Sequence, residues 1–258
     1  MPNIILSPDA ELTLERIKSK SPDLYGSLHH YMRVSEAREE AERISQDESG
    51  THEARAITSV LTAAGYGASA IERAAALADN PPEKLRAWAS QYKGSGTPWL
   101  ICEGDAARAS AAAAWAVYAV TLKRESEGRL IRPIRVAARD FCGEIRAAQK
   151  YGPDNRDERL RHYAEAGLLV LDALGEEEPD RPSIDAFSYV VGRREEYRRP
   201  TILTTESSIR DWLRPYELAH LRPRTLANAI QTAASGWNEP DTFEAAEALS
   251  KNVIRLDY

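Results

Sequence analysis

Pro98-Trp-Leu-Ile-Cys-Glu-Gly-Asp-Ala-Ala-Arg-Ala-Ser-Ala111 is the stretch on which the fold turns. Trp99 to Cys102 is a short apolar run bounded by turn residues, the pattern of a buried strand. From Ala106 to about Arg124 the chain reads as one strong helix, with seven alanines between Ala106 and Ala114. A strand that passes through a short loop into a helix opens an α/β unit. In such units ligands bind beyond the carboxyl ends of the strands, which is where the loop Gly104 to Ala111 stands.

Working outward, the same alternation continues. Ile131 to Ala137 reads as a second strand, Asp140 to Tyr151 as a helix, and Gly167-Leu-Leu-Val-Leu-Asp172 as a third strand. Ser183 to Tyr197 is again helical, Pro200 to Thr205 a fourth strand and Asn252 to Leu256 a fifth. Strands alternating with helices predict a parallel sheet covered on both faces. Upstream, residues 8 to 80 read as helical. Leu12, Leu14, Ile17 and Leu24 form an apolar set, Tyr31 to Ile44 is rich in Glu, Arg and Ala, and Gln46 to Gly50 is a polar break. A helix from Glu53 to about Ala64 stops at Gly65-Tyr-Gly67, and Ser69 is expected to cap the next one. A short helix carries Trp88.

Composition bounds the function. Hydrophobic residues make up 43% of the 258, enough for a core, and no run of about 18 apolar residues suggests a membrane span. Mean hydropathy is -0.50. Asp9 and Glu11 near the start, without a basic segment before an apolar run, argue against a signal peptide and for a cytoplasmic protein. Cys102 and Cys142 sit in apolar contexts without CxxC spacing and read as buried reduced thiols, not a disulfide or metal site. Net charge is -6, with -5 of it in the first 80 residues. Bulk charge therefore favours a protein partner over nucleic acid, and DNA contact requires a local patch.

Two places fit a nucleotide triphosphatase: the loop after the first strand, and Asp172, an acid at a strand end within reach of Mg²⁺. A phosphate loop reads G-x-x-x-x-G-K-[ST]. Gly104 matches its first glycine, Ala109 stands at the second, Ser110 replaces the lysine, and Ala111 replaces the hydroxyl that binds Mg²⁺. Ala107, Arg108 and Ala109 prefer helix. The helix is therefore expected to start early, with Asp105 as its N-cap, its carboxylate occupying the positive helix end where a phosphate would sit. The competing reading has Arg108 compensating for the lysine, with weak ATP and Mg²⁺ binding.

From about Gly65 to Tyr258 the chain resembles the DnaC/IstB-type family of helicase loaders and transposase helper ATPases. The residues that carry the resemblance are Asn80-Pro-Pro82, Thr97-Pro-Trp-Leu-Ile101, Leu169-Val-Leu-Asp-Ala-Leu-Gly175, Arg199-Pro-Thr-Ile-Leu-Thr-Thr-Glu206 and the closing Val253-Ile-Arg-Leu-Asp-Tyr258. The resemblance implies a three-layer P-loop core of AAA+ type with a five-stranded parallel sheet over 66–258, and a helical extension over 1–65 that grips a replicative helicase or related ATPase. It also locates the departures. Beyond Ser110 and Ala111, Ala173 stands at the second acid, Glu206 at the sensor asparagine, and Asn228 at the arginine finger, with Arg222 or Arg224 able to serve after a small shift. Phosphoryl transfer is catalysed by positioning and charge neutralisation, and these losses remove most of both.

The resemblance thus implies an adaptor or regulator in DNA replication that does not hydrolyse ATP and holds no metal or cofactor. Two alternatives stand beside it: a divergent DNA-stimulated ATPase that borrows residues from a neighbouring subunit, and a transposition helper. With no nucleotide between subunits, a monomer or dimer is expected. Arg193, Arg194, Arg198 and Arg199 form the densest basic cluster, which by itself reads as a solvated charged face; the resemblance implies that this face lies near subunit contacts and single-stranded DNA. His29-His30 has no metal spacing, and Glu176-Glu-Glu178 reads as a solvated loop. Trp88, Trp99, Trp115 and Trp212 fall on apolar faces and are assigned to the core; Trp237 sits in a loop as a candidate contact residue.

Overall fold

The computed structural model describes residues 52–237 and 251–256. Its described residues divide into two compact units after Ala63. The first contributes α1 (His52–Ala63). The second carries α2 (Ala68–Ala78), α3 (Glu83–Gln91), β1 (Leu100–Gly104), α4 (Ala106–Ser126), β2 (Pro133–Ala137), α5 (Ala138–Lys150) and α6 (Pro153–Glu165). It continues with β3 (Leu168–Leu174), α7 (Arg181–Glu196), β4 (Thr201–Thr205), α8 (Ile209–Leu218), α9 (Arg224–Ala234) and β5 (Val253–Leu256). The helices expected within 8–44, the break at Gln46 to Gly50 and the pair His29-His30 lie outside the described residues.

The five strands form one sheet in the order β2-β3-β4-β1-β5, and every neighbouring pair is parallel. Parallel strands need crossovers, and the helices between them cover both faces. One face carries Ile101, Val136, Leu169, Leu171 and Leu203, packed with Phe141, Leu160, Phe187, Trp212 and Ile230 from α5 to α9. The register places Arg135, Val170, Ile202, Thr204 and Cys102 together on the other face, where α4 lies against β1, β3 and β4. The α/β class and parallel sheet expected from the sequence are therefore present. The four tryptophans assigned to the core are buried there.

The alanine run explains how α4 fits. Ala109, Ala111 to Ala114 and Ala116 are each at most 2% exposed. Their small side chains let the helix lie close to the sheet on one side while α2 and α3 pack on the other. Gly104 is required at the strand end that feeds it. Its φ of +138° suits glycine, and a Cβ there would meet the Leu256 backbone at 3.1 Å.

Some local expectations fail. α2 begins at Ala68 with Gly67 in the N-cap position and no side-chain cap, so Ser69 lies inside the helix. Three helices have no counterpart in the sequence reading. α6 is mostly charged and buries only Leu160, Tyr163 and Ala164. α8 contains Pro215, ordinarily a helix breaker, and is started by Ser208, whose side chain accepts from the Asp211 N–H. α9 starts at Arg224 without a side-chain cap.

Candidate functional site

The site is built where β1, β2, β3 and β4 present residues to the first turns of α4. β3 does not run straight into it. Leu171 pairs with Leu203 and Leu174 with Thr205, so Asp172 and Ala173 together oppose Thr204. This is a bulge, a device that re-aims side chains. Ala173 adopts φ +55°, a left-handed conformation that costs a residue with a Cβ about 1 kcal/mol. Its N–H donates to Thr204 Oγ1 at 2.8 Å in place of a ladder bond.

The bulge delivers Asp172 into an internal cluster. Its carboxylate belongs to a residue only 2% exposed. Oδ2 accepts from Ser110 Oγ at 2.9 Å, from Arg135 Nε at 2.9 Å and from Arg135 Nη2 at 2.6 Å. Oδ1 accepts from the Thr204 hydroxyl. A carboxylate offers about four lone-pair sites, and four donors engage this one. The Arg135 guanidinium supplies the positive charge that a buried carboxylate requires.

Arg135 is held on its far side too. Its backbone N–H donates to Ala64 O at 3.3 Å, and its Nη1 donates to Gly65 O at 3.5 Å. Its guanidinium lies 5.4 Å from the Tyr66 ring centroid, within cation–π range. Tyr66 is buried, and its hydroxyl has no hydrogen-bond partner among the described residues. Desolvation raises the Tyr66 phenol well above its ordinary value; the Asp172 charge adds to this and Arg135 opposes it. Desolvation, then the Asp172 charge, likewise push the Cys102 thiol far up, so Cys102 is a buried thiol and not a nucleophile.

At the loop itself, α4 starts at Ala106 with Asp105 as N-cap. Asp105 Oδ1 accepts from the N–H of Ala107 at 3.1 Å and of Arg108 at 3.2 Å. N–H groups at this position serve as phosphate donors in nucleotide-binding loops. Arg108 is exposed, Ser110 half-buried and Ala111 buried. Glu206, Arg222, Arg224 and Asn228 are all exposed. Arg222 has φ +52°.

The basic cluster is not one surface. Arg194 is 0% exposed. Its Nε donates to Thr201 Oγ1, its Nη1 to the carbonyls of Tyr163, Ala164 and Ala166, and its Nη2 to Pro200 O. Arg194 is therefore withdrawn as a DNA or subunit contact: it ties α6 to the start of β4. Burial, then the neighbouring Arg199 charge, push it down to about 9. Arg193 is exposed, paired with Glu196 and 4.8 Å from the Tyr197 ring centroid. Arg198 is exposed and sits 5.5 Å from the Trp237 ring centroid. Arg199 donates to Glu165 O. Trp237 is half-buried and donates from Nε1 to Glu195 O at 3.1 Å.

The acidic run is also misread by its composition. Glu177 is 7% exposed. It accepts from Gly175 N at 2.8 Å, Trp212 Nε1 at 2.6 Å and Tyr216 OH at 2.8 Å. It pins the turn after β3 to α8.

Of the residues gathered here, Ser110, Asp105 and Asp172 stand out in the sequence, whereas Arg135, Thr204, Tyr66 and Glu177 do not. A signal existed for Arg135, since an arginine inside an apolar strand calls for buried acceptors, an acid among the candidates. Another existed for Arg194, which continues the Ile184, Phe187, Val190 and Val191 stripe at helical spacing. Among the described residues no cluster of His, Cys, Asp and Glu could hold a metal ion, and no helix is long and apolar enough to cross a membrane.

No protein-family model matches the chain, and no curated protein matches it. Solved structures do. The chain is similar to the crystal structure of the DnaC helicase loader, at 20% identity over 74% of this chain and 91% of that one, with a TM-score of 0.43. It is similar to a protein described as a primosome component from Streptococcus pyogenes serotype M3, at 14% identity over 74% and 80%, TM-score 0.44. It is also similar to DnaI, at 14% identity over 67% and 77%, TM-score 0.41.

Proposed function

We propose that the chain is a non-hydrolysing AAA+-type protein that acts in DNA replication as an adaptor or regulator, binding a replicative helicase or related ATPase. The observation that carries the loss of hydrolysis is the Asp172 cluster. A catalytic acid must offer oxygens to Mg²⁺ and to substrate. Here both oxygens are engaged by Arg135, Ser110 and Thr204, and Arg135 supplies the charge a metal would bring. The Asp105 carboxylate supports the same reading, since it takes the N–H groups that would greet a phosphate. A carboxylate there repels phosphate by charge.

The adaptor role rests on residues 1–65 as the partner-binding element, on the acidic balance of that region and on the family resemblance. The core then serves as a scaffold, not a motor. Single-stranded DNA, if bound, would meet the exposed Arg193 and Arg198 beside Tyr197 and Trp237.

Two measurements test this. Titration of the full chain with labelled ATP and Mg²⁺ is expected to give no saturable binding; micromolar affinity overturns the filled phosphate site. Co-purification with the cognate replicative helicase is expected for the full chain. Its failure for both the full chain and residues 1–65 overturns the adaptor role.

A further inference from the structure

Gly65-Tyr66-Gly67 opens the second compact unit, immediately after the division at Ala63. The segment is joined to the phosphate-site acid through one residue. Arg135 donates to Ala64 O and Gly65 O, faces the Tyr66 ring, and on its other side holds Asp172. Any displacement of residues 64–66 therefore acts on Arg135 first.

Tyr66 is an unusual way to fasten such a segment. Its ring is buried, but its hydroxyl finds no partner among the described residues. A buried hydroxyl without a partner opposes burial, whereas the ring favours it. Withdrawal thus loses ring packing but gains a hydrated hydroxyl, so the two positions differ less in free energy than for a fully satisfied tyrosine. The backbone permits the movement. Gly65 stands at φ +91°, a conformation that glycine enters and leaves without the penalty a Cβ imposes, while Gly67 anchors the far side by accepting from the Ala70 and Ile71 N–H groups.

We propose that Tyr66 is a removable plug, whose withdrawal by movement of the Ala64–Tyr66 segment opens the Arg135–Asp172 cluster. This rests on the reading of that cluster as a filled phosphate site and adds its regulation. A protein that grips residues 1–63 holds the lever, because that chain leads directly into Ala64.

The chain's own cysteines report the opening. It has only two. Cys102 is fully buried on the cluster's face of the sheet, in register with Thr204, whose hydroxyl donates to Asp172. Cys142 is buried in the core cluster on the opposite face. The native full-length protein is exposed to iodoacetamide, and each cysteine's labelling is followed by peptide mass spectrometry. Tyr66→Ala is expected to accelerate Cys102 by about tenfold or more while leaving Cys142 unchanged. Tyr66→Phe, which keeps the ring and removes the orphan hydroxyl, is expected to slow Cys102 below wild type. Equal acceleration of both cysteines, or no acceleration of Cys102, overturns the plug. So does a Tyr66→Phe rate at or above wild type, which keeps the proposal testable if Tyr66→Ala does not fold. ATP binding by the wild type would overturn the filled-site reading by a separate measurement that leaves the labelling result intact.

Discussion

Two arginines leave water on this sheet, one near each end of its strands, and they do so on different terms. Arg194 is wholly buried, and its five acceptors are four carbonyls and a hydroxyl, with no acid among them. Arg135 keeps 26% of its side chain exposed and faces a carboxylate. The first is a rivet: neutral dipoles from two segments, 163–166 and 200–201, converge on a charge that cannot leave without stranding them. The second is a latch, because both partners regain favourable hydration when they part. A buried charge surrounded by backbone acceptors ties segments of the fold together, whereas a part-exposed guanidinium facing a carboxylate forms an ion pair that solvent can reach.

The contrast breaks most directly at Arg194. Arg194→Ala is expected to cost about 3–5 kcal/mol in denaturant unfolding, since five acceptors lose their donors. Arg194→Lys should recover less than half of that, because three ammonium donors cannot span the same acceptors. Arg135→Met is expected to cost less, about 2–3 kcal/mol, as water reaches part of the pair. Adding Asp172→Asn in that background should restore part of the loss, which a double-mutant cycle reads directly. Equal costs at Arg194 and Arg135 would erase the distinction between rivet and latch. Glu177→Gln should cost about 1–2 kcal/mol, because the amide still accepts from Trp212 and Tyr216 but turns a donor toward the Gly175 N–H.

The smallest effect is on pH dependence. Burial pushes Tyr92 up to about 12 and raises Tyr66, Tyr163 and Tyr216 in the same direction. A phenol raised on folding contributes stability that is complete below its ordinary value near 10 and is lost as pH climbs through the folded value. Arg194, pushed down, acts with the opposite sign, since its unfolded form binds more protons above about 9. The net loss by about pH 10 should be no more than about 1 kcal/mol and should deepen above it. Tyrosinate absorbance and circular dichroism recorded together across that range give the sign.

Much of the core was legible because its grammar is local. Short apolar runs bounded by turn residues, such as Leu168 to Leu171 and the run through Ile202 and Leu203, read as strands buried on both faces, and the alanines of α4 as a closely packed helix. The cap at Asp105 was legible for the same reason, as its partners lie two and three residues away. What escaped depends on distance. Arg135 meets Asp172 across 37 residues and Glu177 meets Tyr216 across 39, so composition around either residue says nothing of its partner. Glu176-Glu-Glu178 looked solvated because its neighbours are charged, yet the middle residue turns inward. α6 and α8 escaped because a charged helix and one containing Pro215 are held by packing that overrides propensity.

Gly104 bears on how the sheet is closed. Ile101 pairs with Val253 across about 150 residues of chain, a closure whose entropy must be met before its contacts return anything. β1 meets β4 across about 100 residues, a closure of nearly the same entropic cost, so both of its pairings depend on contacts made far along the chain. β5 lies against Gly104, where the absence of a side chain leaves a seat for the Leu256 backbone. Gly104 is thus a berth for β5 as well as the turn that leads into α4.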